Sequence, residues 1–440
     1  MFSQLFSQLF SELFSQLFYF LRLAGKSAWN RRLTLGLMLF IISLSVCLLL
    51  AVERLRNDAR EGFSHAISGT DLVVGARTSP VQLMLYAVFR IGAATNNISW
   101  QSYQDLLHDP AVAWAVPLSL GDSHRGFAVV GTTPDYFSRF RYGDAQGLQL
   151  RAGRVFAGDA DHLFDAVIGA DVADNLGYQV GTKITLTHGT GDAALAEHAD
   201  KPFKVVGVLA RTGTPVDRSV HISLQAMQAI HLDWQGGAPV PGFSIAAEHA
   251  RKFDLQPKEI TAVLVGLHKR SMVFRLQRQI NTKNGDALLA VLPGVALDQL
   301  WQIISIIERV LLAMSSLLVV LGSAGLLAVM LASLNERRRE LAILRSAGAG
   351  PGHLFLMLMA ESLGLTIAGA ISGLLLLDVL TLAGKDWVQM HYGILIKPGI
   401  LNATEIPLLG LVVLMGMLTS LVPAWLAYRN SLADGLMPRL

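Results

Sequence analysis

The sequence has almost no cysteine and little charge. Of its 440 residues only Cys47 is a cysteine, and 16% of the residues are charged. A single cysteine excludes an intrachain disulfide and any metal site built from paired cysteines, so a polar domain must fold on its own core. With 52% hydrophobic residues and a mean hydropathy of +0.45, the composition is too apolar for an ordinary soluble protein and indicates an integral membrane protein.

The sequence also lacks the motifs of common catalytic and nucleotide-binding sites. Gly25-Lys26-Ser27 resembles the end of a phosphate-binding loop, but Phe20 stands where the pattern needs a glycine, and no strand-like run precedes it. H-E-x-x-H and G-x-S-x-G motifs are absent. No lysine-rich stripe with interleaved aromatic residues is present, so nucleic acid is not an expected partner. We expect no catalytic residues, no directly bound ATP and no enzymatic activity in this chain.

Long apolar runs are abundant. A membrane-spanning helix needs about 20 apolar residues, and four stretches qualify: 33–52, 310–334, 355–380 and 406–428. Arginines and lysines concentrate before the first span, between the second and third, and after the fourth, which predicts that both termini are cytoplasmic. A cleaved signal peptide is the alternative for the first span, but no A-x-A site follows it.

The remaining segments complete the predicted organisation. Within the cytoplasmic N-terminal segment 1–32, residues 2–18 repeat Phe-Ser-Gln-Leu and predict an amphipathic helix on the lipids of the inner leaflet, or else a repeat expansion without function. Residues 303–334 combine a stalk with the second span. A cytoplasmic segment (335–354), a short outer loop (381–405) and a cytoplasmic tail (429–440) are expected between and after the other spans.

The insertion 53–302 has an ordinary soluble composition and predicts an α+β domain on the outer side. Helical patterns occur at 99–109 and 271–280, and the strand-rich part, about 125–250, is expected to be an inserted subdomain. The predicted fold is thus an α-helical membrane protein with four transmembrane helices and a large α+β domain between helices 1 and 2. The strand-like runs are 71–76, 126–131, 165–170, 182–187, 203–210 and 261–267.

Histidines in the insertion are candidate metal ligands. Imidazole and carboxylate groups suit zinc-like ions, and acidic residues accompany these histidines along the chain. Surface loops collect the same residue types without any metal, however, and wide sequence spacing does not imply that side chains converge. The candidate zinc ligands are His188, His198, His221 and His231.

Polar and small residues within the spans are also candidates for function. Glu361 lies about two turns into the third span, where a carboxylate is costly and faces protein or water. It is either a hinge or packing group between helices or a solvated interfacial group. Small residues allow close helix packing, which is the predicted role of Gly322, Gly325, Gly369 and Gly373.

The charged segment between spans two and three carries the most specific pattern. It reads ERRRELAILRSAGA (336–349) and resembles the segment after the second span of the FtsX-like, MacB-type ABC transporter permeases, a type VII class that works by mechanotransmission. The resemblance continues through Glu361 and the glycines of span three to Pro423-Ala424. The resemblance is strong over residues 301–440. The earlier part of the chain resembles the family in its layout, which is one span followed by a large outer domain. Ser431 departs from the family pattern, which often has proline there.

The resemblance implies a permease subunit in the bacterial inner membrane. Its partner would be a separate, dimeric cytoplasmic ATPase that holds ATP and magnesium. Four spans are too few to enclose a channel within one chain, which favours a homodimer. The alternative is that the arginines only bind anionic lipid. The residues that would form the coupling helix are Glu336, Arg337, Arg338, Arg339, Glu340, Leu341, Leu344, Arg345 and Gly348.

The sequence supports two hypotheses for what the permease acts on. Stretches 71–92, 120–132 and 211–224 resemble a subgroup of these permeases associated with zinc homeostasis. One hypothesis is therefore ATP-driven action on an envelope cargo, linked to zinc. The alternative is a regulatory permease that activates a periplasmic partner protein such as a cell-wall hydrolase.

Overall fold

The structure is a computed structural model that describes residues 32–189, 196–235, 238–240, 243–283, 285–336, 343, 345–346, 349–392 and 401–433. Its contacts divide the chain into two compact units. We call them the membrane unit (1–57, 306–385 and 396–440) and the α/β unit (58–305 and 386–395). The predicted amphipathic segment 1–32 lies outside the described residues except for its last residue, and the end of the predicted tail lies outside them as well.

Eleven α-helices occur in the described residues. They are α1 (Arg32–His65), α2 (Pro80–Ala87), α3 (Trp100–Leu107), α4 (Asp135–Arg139), α5 (Ala170–Leu176), α6 (Leu224–Ile230), α7 (Ala247–Ala250), α8 (Val273–Thr282), α9 (Pro293–Glu336), α10 (Pro351–Tyr392) and α11 (Glu405–Ala433).

The strands form one large sheet and three two-stranded pairs. They are β1 (Leu72–Ala76), β2 (Ile98–Ser99), β3 (Val112–His124), β4 (Phe127–Thr132), β5 (Arg141–Tyr142), β6 (Gln146–Gly147), β7 (Leu150–Gly153), β8 (Asp165–Ile168), β9 (Lys183–Ile184), β10 (Thr187–His188), β11 (Ala196–Glu197), β12 (Phe203–Leu209), β13 (Ser219–Ser223), β14 (Trp234–Gln235), β15 (Ala238–Pro239), β16 (Glu259–Ile260), β17 (Ala262–Leu267) and β18 (Leu288–Val291).

Four helices among the described residues are long and apolar enough to cross a membrane. Their candidate spans are Arg32–Asp58, Pro293–Ala332, Pro351–Lys385 and Glu405–Arg429, in α1, α9, α10 and α11. Each of these four helices contains one of the apolar runs identified in the sequence. In a bilayer a run of that length satisfies its backbone hydrogen bonds by forming a helix.

The membrane unit has its main described core between α1 and α10. Ile42, Val46 and Leu50 of α1 are buried in one cluster with Ala370 and Leu377 of α10. Many apolar side chains of α9, including Leu317 and Leu321, are instead exposed on this chain. Exposed apolar helix faces of this kind are expected to contact lipid or another protein.

The large sheet runs through the whole α/β unit. Its strands follow the order β18-β1-β17-β3-β4-β13-β8-β12-β7, with β9, β10 and β11 attached at its side. Strands β3 and β17 pair antiparallel. This pairing brings together the helix-strand pattern near 99–118 and the strand-helix pattern near 261–280. The strand-rich 125–250 segment continues this same sheet through β4, β13 and β8.

Serine caps explain where three helices of this unit begin. Ser79, Ser99 and Ser223 have extended backbones, and each hydroxyl accepts a hydrogen bond from the backbone N–H three residues later. Such caps satisfy donors that the first helical turn leaves open. The cap at Ser223 starts α6 directly after β13, and α6 then leads into His231.

Candidate functional site

Four potential metal ligands converge in the α/β unit. They are Asp122, His188, His198 and His231, and one ligand atom from each lies within 4.8 Å of the others. The structure therefore brings three of the four histidines singled out in the sequence together with an aspartate that sequence reasoning missed. We call this set the Asp–His cluster.

Strand pairing positions the first half of the Asp–His cluster. Asp122 of β3 and His188 of β10 are directly opposite each other in an antiparallel pair. The register of β3 against β4 shifts between Leu120 and Ser123, so Asp122 lies in an irregular part of the strand. Such bulges re-aim side chains, and here Asp122 Oδ1 lies 2.9 Å from Nδ1 of His188.

The second half comes from a strand end and a helix end. His198 follows β11, and its backbone N–H donates to the carbonyl of Leu186. His231 is the C-cap of α6. Its Nδ1 lies 2.9 Å from the backbone carbonyl of Met227, which only accepts, so Nδ1 carries a proton and Nε2 faces the cluster.

The distances within the cluster are short. His231 Nε2 lies 3.1 Å from Nδ1 of His188 and 3.5 Å from Oδ1 of Asp122. His198 Nε2 lies 3.9 Å from the same oxygen, which is beyond hydrogen-bonding distance.

Several buried polar atoms of the cluster have no hydrogen-bond partner. They are both ring nitrogens of His198 and Oδ2 of Asp122. The side chains of His198 and Asp122 are fully buried, whereas those of His188 and His231 are 27% exposed. Buried groups of this kind are normally paired, because leaving them unpaired costs free energy.

An aromatic side chain closes one side of the cluster. The ring of Trp234 lies 4.4 Å from that of His198 and 5.0 Å from that of His188, centroid to centroid. It also lies 5.7 Å from the ring of His231. The indole therefore shields the imidazoles from water and limits their rotation.

A buried ion pair holds the two segments that carry His198 and His231. Lys201 is fully buried, and its Nζ donates to both carboxylate oxygens of Asp233 at 2.9 Å. Asp233 also accepts from the backbone N–H of Ile245 at 3.0 Å. Burial disfavours the charged carboxylate, but these donors outweigh it and lower the pKa of Asp233.

Asp122 and His231 stabilise each other's charged forms. Burial alone would raise the pKa of Asp122, yet the three neighbouring imidazoles hold it well below its usual range. Burial would lower the pKa of His231, but the Asp122 carboxylate reverses this and raises it. The cluster is therefore a place where a buried negative charge attracts cations.

His221 does not join the Asp–His cluster. It lies in the middle of β13, where Val220 and Ile222 on either side of it pack into the core that includes α6. Because successive side chains of a strand point to opposite faces, His221 faces the other core, against the rings of Tyr136 and Phe137. Its Nδ1 lies 3.3 Å from the carbonyl of Val167.

Most residues of the predicted coupling helix lie outside the described residues. Glu336 ends α9, and Arg345 is in helical conformation and partly buried. Ile343 between them is 67% exposed. Those outside are Arg337, Arg338, Arg339, Glu340, Leu341, Leu344 and Gly348.

A buried ionic group in the membrane unit was not identified from the sequence. Arg54 of α1 donates from Nε to Glu405 of α11 at 2.5 Å and from Nη1 to Asp378 of α10 at 2.6 Å. The side chains of Arg54 and Glu405 are 5% and 0% exposed. Glu361, the polar residue that the sequence did single out, is partly buried on α10.

Two of the four candidate packing glycines lie where α10 approaches α1 closely. A β-carbon at Gly369 would come 2.5 Å from Ile42, and one at Gly373 would come 2.6 Å from the carbonyl of Ser43. Gly322 of α9 lies near Ser45, whereas Gly325 has open space around it.

Two family models match the chain in succession. A MacB-like periplasmic core domain matches residues 33–258, and an FtsX-like permease C-terminal domain matches residues 312–432. The first match covers more than half of the chain. No curated protein matches the sequence significantly.

Solved structures similar to this chain include a periplasmic region and an extracellular domain. The periplasmic region of MacB from Actinobacillus actinomycetemcomitans is 11% identical, with 55% of this chain and 94% of that chain covered and a TM-score of 0.33. The extracellular domain of the noncanonic ABC-type transporter YknZ from Gram-positive bacteria is 12% identical, with 50% and 99% covered and a TM-score of 0.30. At these scores the two likenesses carry no argument about function.

Proposed function

This chain belongs to the FtsX-like, MacB-type ABC transporter permeases, multi-pass proteins of the bacterial inner membrane, and from that membership we propose how it works. ATP binding and hydrolysis in a separate cytoplasmic ATPase move the α/β unit on the outer side of the membrane. The α/β unit then acts on an envelope cargo. Permeases of this family work with a cytoplasmic ABC ATPase, and the sequence of this chain lacks a phosphate-binding loop of its own.

The charged segment after α9 is proposed to receive the ATPase. Three consecutive arginines, Arg337 to Arg339, offer charge-assisted hydrogen bonds to acidic partner residues. Leu341 and Leu344 offer apolar contacts, and Gly348 favours the end of the helix before α10 begins. The described Ile343 is exposed, which fits a segment that presents apolar side chains to a partner.

The polar groups of the spans support movement of the outer domain rather than passage of a polar cargo through the spans. Arg54, Asp378 and Glu405 are engaged with one another inside the membrane unit. Intramembrane charges mark a route for polar cargo when they line a cavity. These three side chains instead form ion pairs with one another.

A homodimer is proposed as the working form. Four spans are too few to form a separate transport unit, and closed two-fold assemblies are the commonest oligomers. The exposed apolar side chains of α9 provide a surface that a second copy could cover. Two copies would also match a dimeric ATPase.

The cargo is proposed to be linked to a transition metal, because the α/β unit carries the Asp–His cluster. A regulatory permease acting on a cell-wall hydrolase remains the alternative from sequence, and no described feature of the structure favours it.

Substitutions in the charged segment test the coupling. Reversing Arg338 and Arg339 to glutamate should weaken the complex with the ATPase by several kcal/mol, since each hydrogen bond to a charged group that is removed costs about 1.5–3 kcal/mol. Leu344→Asp should also weaken it, because it places an unpaired charge against an apolar surface of the partner. Co-purification of the ATPase from native membranes measures both effects.

Membrane insertion measured in the same samples separates docking from lipid binding. If the arginines only bind lipid, Leu344→Asp leaves the ATPase bound and the arginine reversals disturb insertion. Full recovery of the ATPase with all three substitutions would show that the segment does not dock.

A further inference from the structure

The Asp–His cluster has the donor set of a transition-metal site. We propose that Asp122, His188, His198 and His231 bind one Zn²⁺ ion, or a related divalent transition-metal ion, within the α/β unit. The observation that carries the proposal is geometric: ligand atoms of all four residues lie within 4.8 Å of one another, although they come from four separate segments of the chain.

The distances fit a four-coordinate ion. Zinc bonds of about 2.0–2.2 Å place neighbouring donor atoms of a tetrahedron about 3.3–3.6 Å apart. Three separations in the cluster are 2.9, 3.1 and 3.5 Å. His198 Nε2 lies farther out, at 3.9 Å from Asp122 Oδ1, and would need to move inward to complete the tetrahedron.

The unpartnered atoms point to a ligand rather than to a hydrogen-bond network alone. A protonated network could satisfy Asp122 Oδ1, His188 and His231, which are within hydrogen-bonding distance of one another. It leaves both nitrogens of the fully buried His198 without a partner. A metal ion gives a buried imidazole nitrogen the partner that the protein does not provide.

Neighbouring residues orient the four side chains that would bind the metal. The Met227 carbonyl fixes the tautomer of His231, as outer-shell acceptors do for metal-binding histidines. The Lys201–Asp233 pair and the Trp234 ring hold the segments of His198 and His231 in place. His188 and His231 are partly exposed, which gives an ion a way in from solvent.

The chemistry of the donors selects the class of ion. Three imidazole nitrogens and one carboxylate suit Zn²⁺, Co²⁺, Ni²⁺ or Cu²⁺, whereas Mg²⁺ and Ca²⁺ prefer oxygen ligands throughout. Four protein ligands make a closed site of the structural or sensing type, since a catalytic zinc site keeps a position for water. The ion would join β3, β10, the end of β11 and the end of α6.

Zinc titration of the intact chain tests the proposal. The full-length protein in detergent is stripped with a chelator, and Zn²⁺ is then titrated against a competing chromophoric chelator. We expect one tightly bound zinc per chain, confirmed by elemental analysis after desalting. His188→Gln and His231→Gln should each weaken binding at least as much as loss of an outer-shell group, which is about 10–100-fold.

The matched control is His162→Gln. His162 also pairs with an aspartate, Asp159 at 2.8 Å, but its side chain is 44% exposed and is not part of the Asp–His cluster. Zinc should raise the unfolding temperature of the wild type and of His162→Gln equally, and should raise those of the two cluster variants less at the same zinc concentration. Co²⁺ bound to the wild type should give the intense visible bands of a tetrahedral site, a readout that does not depend on the variants folding.

Three results would overturn the proposal. The wild type could bind no zinc, the cluster variants could bind zinc as tightly as the wild type, or the Co²⁺ spectrum could be that of a six-coordinate site. The inference does not depend on the proposed ATPase coupling, because the metal is measured on the isolated chain. Loss of ATPase binding with intact zinc binding, or the reverse, would therefore distinguish the two.

Discussion

His221 lies fully buried in the centre of the large sheet, between β4 and β8. Burial and the nearby positive charge of Arg90 lower the pKa of this imidazole to about 3, against an ordinary value of 6.5, and the Val167 carbonyl opposes them only partly. The imidazole is therefore neutral in the folded protein at neutral pH. Its role is to fill the core beside Tyr136 and Phe137.

This burial predicts how stability depends on pH. Because the pKa of His221 is lower in the folded state, the unfolded state binds the proton more tightly, and stability is lost as pH falls below 6.5. Between pH 7 and pH 5 the loss from this residue should be about 2 kcal/mol, from about 1.36 kcal/mol per pH unit. His221→Phe keeps a ring in the core and should flatten this dependence.

Thermal unfolding of the full-length protein in zinc-free detergent solution at the two pH values measures the effect. His162→Gln, which alters an exposed histidine, should behave like the wild type. Equal losses of unfolding temperature in the wild type and in His221→Phe would contradict the assignment.

At the scale of elements, Arg54 joins three membrane helices. It lies just after the C-terminal end of the first apolar run and reaches carboxylates on α10 and α11. Glu405 is the first residue of α11, and it also accepts from the backbone N–H of Asn402 at 3.1 Å, which fixes the start of that helix. A buried pair is costly to break, because the remaining charge is then left without compensation.

Removing one partner of this network should destabilise the membrane unit. Arg54→Met leaves Glu405 buried without its cation and should cost about 3–5 kcal/mol. Arg56→Met is the comparison within α1. Arg56 is 32% exposed, and its partner Glu53, which lies 2.9 Å away and is 6% exposed, keeps a hydrogen bond from Asn57 Nδ2 at 3.1 Å when Arg56 is removed. The loss of stability should therefore be smaller than for Arg54→Met. Unfolding temperature in detergent and resistance to proteolysis are the measurements.

The double variant Arg54→Met/Glu405→Met should be more stable than Arg54→Met alone. It removes both charges of the closest pair, and together with Glu405→Met it completes a double-mutant cycle that gives their coupling free energy. If Arg54→Met and Arg56→Met have the same unfolding temperature, the network does not hold the three helices together.

At the scale of the whole molecule, orientation in the membrane is the property to test. The arginines between the second and third spans predict that this segment faces the cytoplasm and that the α/β unit faces outward. In a Cys47→Ser background, Asp161→Cys should react with an impermeant thiol reagent in intact spheroplasts, because its side chain is 92% exposed.

Ser346→Cys is the matching inner position. It is exposed on the charged segment and should react only after the membrane is permeabilised. Labelling of Ser346→Cys in intact spheroplasts, with protection of Asp161→Cys, would reverse the predicted orientation.

Properties that depend on local composition could be predicted from the sequence. The four spans are visible because apolar length alone makes a bilayer helix favourable. The strands at 71–76, 203–210 and 261–267 are visible because their continuous apolar runs are buried, and the structure has β1, β12 and β17 there. The charge order of ERRRELAILRSAGA pointed to the family, which the two matching family models confirm.

Properties that depend on which segments meet were decided by the tertiary structure. The histidines were visible as candidates, but the β3–β10 register placed Asp122 opposite His188, and alternation along β13 turned His221 away. The sequence places Arg54 only in a polar helical segment. The tertiary structure adds its partners, because α10 and α11 place Asp378 and Glu405 beside it. Local sequence determines whether a residue lies in a span, a strand or a helix. Long-range pairing determines its neighbours, because those interactions join residues tens to hundreds of positions apart.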